Sequence, residues 1–225
     1  MQLFTILDIE TIAQTESVIR AKLPPFDPGK VKLGVLKDPE KIRAKLAEAE
    51  AEHGNDEVAN GALYPEHGET AIVGFLGSDY PEPLQYTHAL SEADNLRETF
   101  AYMTHAFDGG RIITGWNIKG FDLPFLVKRA WLLGVRVPSR IFNPFKPRYP
   151  WSESVVDLME IWSAGIYGDK YASLDGALRA LGLPTKTGSG KDFGALWASD
   201  KAAALKYNAD DLEREMQVAK RLLSH

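Results

Sequence analysis

Asp8 and Glu10 stand two apart at the end of the apolar run QLFTILD. On a strand, side chains at i and i+2 point to one face, so the two carboxylates share a side. Two acids held together repel, and a hard cation between them is the natural compensation. The pair also reads as exposed acids where a strand enters a loop, because Asp-x-Glu is a common pattern. Near the other end of the chain Tyr207 and Asp211 are four apart in a helix-forming stretch. That spacing stacks a phenol and a carboxylate on one helix face, where they can address one small volume. The plain alternative is a core tyrosine beside a surface aspartate. Asp210 lies about 100° around the same helix and off the Tyr207 face. Asp122 sits between the strand-like RIITGW and a helix starting at 123, where it is either a third acid or an ordinary N-cap. Asn117 and Phe121 flank that turn as candidates for local capping and for core.

The elements that must position these residues follow from patterning. Residues 2–8, 70–77 and 111–116 read as strands, and 154–158 as a short strand or helix entry. Ser91-Glu92-Ala93-Asp94 resembles a capping box opening a helix to about Phe107. A helix over 123–133 has Pro124 in its first turn and Gly134 as its stop, and a short helix over 173–181 is closed by Gly182 and Pro184. Residues 200–223, rich in Ala, Leu, Lys and Glu, predict a long helix. Residues 14–62 stand apart. They hold Pro24-Pro25 and Pro28-Gly29, then a charged helix near 39–53 with Asp38 as N-cap, Pro39 first and a thin apolar stripe of Ile42, Leu46 and Ala49. The expectation is one α/β domain over 1–225, with 14–62 a surface insertion.

Composition narrows the classes. The chain has 225 residues and 44% hydrophobic content, enough for one sizeable core. No stretch is apolar enough for a membrane span, and no basic region followed by an apolar one marks a secretory leader, so a cytoplasmic location is expected. Cysteine is absent, which removes disulfides, thiolate metal sites and a cysteine nucleophile. The net charge of −5 argues against tight non-specific duplex binding but not against acids gathered around metals.

Taken in order, the chain reads DIET, then GWNIKGFDLPFL, then YNADD. In this order the motifs resemble the DEDD superfamily of 3′→5′ exonucleases. Its Asp-x-Glu motif is matched by Asp8 and Glu10, its Asn-x-x-x-Phe-Asp motif by Asn117, Phe121 and Asp122, and its Tyr-x-x-x-Asp motif by Tyr207 and Asp211. The subclass with histidine five residues before the last acid is not matched, since Lys206 stands there; the tyrosine subclass is. NIKGFDLPFL, SVVDLMEIW and SLDGALRALGLP look most like the proofreading domain of family-B DNA polymerases and its stand-alone relatives. The resemblance covers about 1–12 and 64–223, and nothing carries over to 14–62.

The resemblance implies an RNase H-like α/β fold with a mixed central sheet flanked by helices. It implies two Mg²⁺ or Mn²⁺ ions held by Asp8, Glu10, Asp122 and Asp211, with Tyr207 positioning the attacking water. Thr11, Asn117 and Phe121 are expected to grip the 3′ end of a single-stranded nucleic acid, DNA favoured, releasing nucleoside 5′-monophosphates. Lys119, Lys128, Arg129, Arg140, Lys146 and Arg148 read either as a basic rim or as solubility charge, and Asp157 as an N-cap or an acid behind the site. A monomer is expected, and any proofreading would act in trans on a polymerase or replication partner. An RNA trimmer would use the same residues and differ in 2′-OH contacts. An inactive binding module of the same fold fits poorly with a full set of acids, and an RNase H-type endonuclease does not need the Tyr-x-x-x-Asp pairing.

Overall fold

The first strand is buried on both faces, which explains its unbroken apolar run. It spans Phe4–Ala13 (β1). Leu7 and Ile9 pack on one side with Phe100, Met103 and Phe125, while Phe4 and Ile6 pack on the other with Leu212 and Met216. The strand runs past residue 8, so Asp8 and Glu10 lie within it and keep the parity of Phe4 and Ile6. This computed structural model describes residues 2–80, 82–87, 91–146, 148–164, 173–185 and 192–223.

After β1 come helices Glu16–Lys22 (α1), Pro39–Ala51 (α2) and Asn55–Ala59 (α3), then strands Gly68–Gly77 (β2) and Leu84–Thr87 (β3). Helix Glu92–Asp108 (α4), strand Ile112–Gly115 (β4), helix Asp122–Leu132 (α5) and strand Val155–Asp157 (β5) follow. The last described helices are Leu158–Trp162 (α6), Leu174–Ala180 (α7), Phe193–Ser199 (α8) and Lys201–Leu223 (α9). The described strands form one sheet in the order β3-β2-β1-β4-β5. β4 runs parallel to β1, with Ile6 opposite Thr114, and β5 parallel to β4, with Gly115 opposite Asp157. β3 is antiparallel to β2. The sheet is therefore mixed, with α4 and α5 on one face and α9 on the other, as the motifs led us to expect. The strand β3 and the helices α1, α3 and α8 were not anticipated; β3 is a four-residue edge strand with one exposed and three half-buried residues, too short for alternation to register.

Local chemistry sets several boundaries. The Ser91 hydroxyl accepts from Asp94 N at 3.1 Å, so the capping box is real on its serine side. Gly134 and Gly182 adopt positive φ after α5 and α7, the conformation that closes a helix without a Cβ penalty.

The chain divides into two compact units, Met1–Ile12 with Glu69–His225, and Ala13–Gly68. Residues 14–62 fall in the second. Its centre is small: Ile19 is its buried aliphatic, and Arg20 reaches Glu16 Oε1, His53 O and Asn55 Oδ1, each at 2.7 Å. α2 buries no residue, in keeping with its thin stripe, and Asp38 caps it through Glu40 N at 2.9 Å. No described helix is long and apolar enough to cross a membrane.

Candidate active site

On the α9 side of β1, Phe4 and Ile6 meet one apolar cluster and Ile12 another, the latter with Phe193, Trp197 and Ala204. Strand alternation leaves Asp8 and Glu10 in the gap between. There they line a cleft of about 290 Å³ with Asn117, Phe121, Asp122, Tyr207 and Asp211. Trp116, Leu174 and Glu215 complete its walls together with Ile9. Thr11 is half-buried on β1 and is not among the described residues that line the cleft.

Asp8 on β1 and Asp122 on α5 are each held from another element. Asp8 Oδ2 accepts from Asn208 Nδ2 at 2.7 Å. Asn208 is fully buried, and its Oδ1 accepts from Gln85 Nε2 at 2.9 Å, which fixes the sense of the amide. α9 can bring Asn208 this close because β2 has a glycine beneath it: a Cβ on Gly74 would lie 2.2 Å from Asn208 Oδ1.

Asp122 opens α5, but the N-cap position belongs to Phe121. The Asp122 carboxylate instead reaches across to β1, where Oδ1 accepts from Ile9 N at 3.1 Å. That corrects the simple capping alternative. Burial pushes the Asp122 carboxyl well above the usual carboxylate range, and the nearby Asp8 charge pushes it further.

Asp211 is buried and accepts from Arg214 Nη1 at 3.0 Å. Tyr207, one turn earlier, is half-buried, with its ring 5.9 Å from that of Phe193. Asp210 points elsewhere and pairs with Lys206 at 2.7 Å.

The turn carrying the middle motif is tight. Asn117 adopts φ 60°, and its carbonyl accepts from Gly120 N and Phe121 N, both at 2.9 Å. Behind it, Asp157 takes Asn117 N at 3.1 Å and Lys119 N at 3.0 Å, and caps α6 through Met159 N at 2.9 Å. Asp157 is thus both a cap and the anchor of the turn. Burial raises its carboxyl, opposed by these backbone donors.

A family described as predicted 3′-5′ exonucleases related to the exonuclease domain of PolB matches residues 86–213, more than half of the chain and including Asn117, Phe121, Asp122, Tyr207 and Asp211. The chain belongs to this family. Among solved structures, a family B DNA polymerase from the hyperthermophilic archaeon Pyrobaculum calidifontis is similar in fold, with a TM-score of 0.59 at 20% identity. The likeness covers 99% of this chain and 25% of the polymerase chain, so the protein spans about a quarter of that relative. The fold is the RNase H-like one of PolB-type exonuclease domains. No curated protein matches the chain in sequence.

Within this PolB-related exonuclease family member, the donor set suits a hard divalent cation. Asp8, Glu10, Asp122 and Asp211 offer carboxylate oxygens to one cleft, and Asp122 is a buried acid beside another acid, a pairing that a bound cation relieves. Among the described residues no three acid or histidine side chains already surround one point. Asp8 is drawn to Asn208, Asp122 to the backbone of β1, and Asp211 to Arg214.

Of the cations read either as a basic rim or as solubility charge, Arg129 is neither. This residue is buried and paired with Glu92, whose Oε1 also accepts from Thr70 N at 2.9 Å, so it ties α5 to α4 and β2. Lys119 pairs with Glu160 at 2.7 Å, and Arg140 with Asp108. Sequence reasoning passed over Asn208, Gln85, Gly74 and Glu215. Glu215 had a usable signal: it stands one helical turn after Asp211 on the same face, and its Oε2 accepts from Trp116 N at 3.1 Å. Asn208 and Gln85 had none, since their roles depend on a contact between distant segments.

Proposed function

We propose that the protein is a metal-dependent 3′→5′ exonuclease of the DEDD tyrosine subclass, releasing nucleoside 5′-monophosphates from single-stranded nucleic acid. The supporting observation is that Asp8, Glu10, Asp122, Asp211 and Tyr207 line a single cleft. DNA is the favoured substrate, because the family relation is to a DNA polymerase domain. The four acids would hold two Mg²⁺ or Mn²⁺ ions, which when bound supply Lewis-acid activation of water and neutralise charge at the phosphate.

The chain's own groups do the rest. The Tyr207 hydroxyl hydrogen-bonds the attacking water and orients it. The half-buried Phe121 ring offers a stacking face indifferent to base identity, which suits sequence-independent trimming. Asn117, held in its left-handed turn by Asp157, lines the same cleft. Thr11, outside the cleft lining, is not carried into this mechanism.

Three strands test the proposal in Mg²⁺: a 5′-labelled linear strand, the same strand ending in a 3′ phosphate, and a circle. The linear strand is expected to give a one-nucleotide ladder, and Asp8→Asn to abolish it. A 3′ phosphate adds charge beside Asp8 and Glu10, so that strand is expected to stay intact, as is the circle. Rapid cutting of the circle overturns the exonuclease assignment, and no cleavage of any strand overturns the enzymatic one.

A further inference from the structure

The turn over residues 116–121 joins β4 to α5 and brings Asn117 and Phe121 to the cleft. Asn117 stands there at φ 60°, a left-handed conformation that costs any residue with a Cβ free energy and lasts only where its surroundings enforce it. Among the described residues Ala164 is the other non-glycine at positive φ, and it is exposed beyond the end of α6. The strained position in the cleft is therefore one that the fold maintains.

Its backbone donors show how. Gly120 N and Phe121 N turn inward to Asn117 O. The donors that point outward go to buried carboxylates. Asp157 Oδ1 accepts from Asn117 N and Oδ2 from Lys119 N, while Glu215 Oε2 accepts from Trp116 N. N–H groups that converge around a left-handed residue form a concavity for an anion, and here the protein supplies that anion itself. Asp157 is 2% exposed, and its Oδ1 also takes Met159 N, so its carboxylate cannot swing away without stranding buried donors. The Asn117 side chain is placed by a second device. It lies over Gly120, where a Cβ would come within 2.2 Å of Asn117 Oδ1. Gly120 is not at positive φ, so what the position uses is the missing side chain rather than backbone freedom. The acids are tied elsewhere: Asp8 to Asn208, Asp122 to Ile9 N and Asp211 to Arg214.

We infer that Asp157 and Gly120 are positioning residues for the substrate: Asp157 fixes the backbone of Asn117, Gly120 leaves room for its amide, and together they set the grip on the terminal nucleotide without touching it. The inference rests on the proposed exonuclease reading, in which Asn117 and Phe121 hold that nucleotide. It divides the cleft into two halves that are set independently. One half is the carboxylates, each with its own partner. The other is the turn, whose shape depends on an acid behind the cleft and on a glycine beneath an amide. Loosening the turn then weakens nucleotide binding and leaves the cation-binding acids as they were. A merely structural Asp157 predicts the opposite, a loss of stability with the grip unchanged.

Two variants test it on the full chain. Asp157→Asn keeps one acceptor oxygen and turns the other into a donor, so it cannot serve both Asn117 N and Lys119 N. It should raise KM for a 5′-labelled single strand in Mg²⁺ about 10-fold, with kcat within about 2-fold, because what is removed is binding rather than transition-state stabilisation. Gly120→Ala adds one methyl at an exposed position and should give the same split, which keeps the test decisive if the Asp157 variant does not fold. Calorimetric Mn²⁺ affinity should match the unsubstituted protein in both. Amide hydrogen exchange at Asn117 and Lys119 should accelerate in Asp157→Asn. An unchanged KM in either folded variant overturns the assignment of that residue, and a lowered Mn²⁺ affinity in Gly120→Ala overturns the independence of the two halves. If the unsubstituted protein cleaves nothing, the exonuclease reading fails by itself, and the inference is decided by anisotropy with a labelled trinucleotide in chelator. Affinity about 10-fold weaker in Gly120→Ala then upholds it, and unchanged or absent binding overturns it.

Discussion

Asp122 holds its proton more tightly in the folded protein than in the unfolded chain, because it is buried beside Asp8. Between the ordinary carboxylate pKa, about 4, and the raised folded value, the folded state binds more protons, so stability falls as pH rises through that window. Asp122→Asn keeps an oxygen to accept from Ile9 N and removes the charge. In chelator at neutral pH it should melt higher than the unsubstituted protein, by about 2–4 °C for each kcal/mol relieved, with the gain vanishing toward pH 4. Thermal melts at the two pH values check this, and an equal or lower melting temperature at neutral pH refutes it. Tyr207→Phe keeps the ring beside Phe193 and loses only the hydroxyl. It should slow cleavage by about 100-fold or less while calorimetric Mn²⁺ affinity stays the same; a wild-type rate would remove Tyr207 from the mechanism. At this scale the sequence exposed residue types but not their partners. An aspartate before a helix looks identical whether it caps that helix or reaches a strand amide 113 positions away, as Asp122 does. Arg129 was read with the surface cations for the same reason: Glu92, which neutralises it inside the protein, lies on another helix. Arg129→Met should cost about 3–5 kcal/mol in urea melts by stranding that carboxylate, whereas a surface arginine would cost almost nothing.

The elements assemble the cleft through close approaches rather than through loops. Gly74 on β2 gives Asn208 of α9 room to hold Asp8, and Gly115 on β4 lies where a Cβ would meet Leu7 O at 2.4 Å. Gly74→Ala places a methyl 2.2 Å from Asn208 Oδ1 and 2.7 Å from Leu212 Cδ1, so α9 or the amide must shift. The expected stability loss is about 1–3 kcal/mol, with a fall in Mn²⁺ affinity because Asp8 loses its fixed donor. Chemical denaturation and calorimetry together test it; a destabilised protein with unchanged Mn²⁺ affinity would show that Asn208 does not position Asp8. Strands and helices with strong period or strong caps were legible: β2, α4, α5 and α9 fall within a few residues of their expected bounds. The weak ones were not. β3 is a short edge strand, and α8 has seven residues interrupted by Gly194, so neither builds a period that outweighs local composition.

On the scale of the whole chain, Gln14 N donates to His67 O at 2.8 Å, so the two ends of the intervening segment meet. Replacing the residues between them with a short turn should leave the remainder folded, with a single cooperative melt and a circular dichroism spectrum that keeps its strand and helix bands. A product with neither would place those residues in the core. A last consequence lies in the order of synthesis. The hydrogen bond from Asn208 to Asp8 joins residues 200 positions apart, and β1 is covered on one face by α9. A nascent chain therefore makes its first strand long before the helix that shields it, and folding waits on that distant closure. Any product ending before Lys201 lacks Tyr207 and Asp211 and leaves Phe4 and Ile6 without Leu212 and Met216. Such fragments carry exposed apolar surface that chaperones and proteases recognise. Translation that stops before α9 thus yields fragments without Tyr207 and Asp211, and the proposed chemistry waits for that helix.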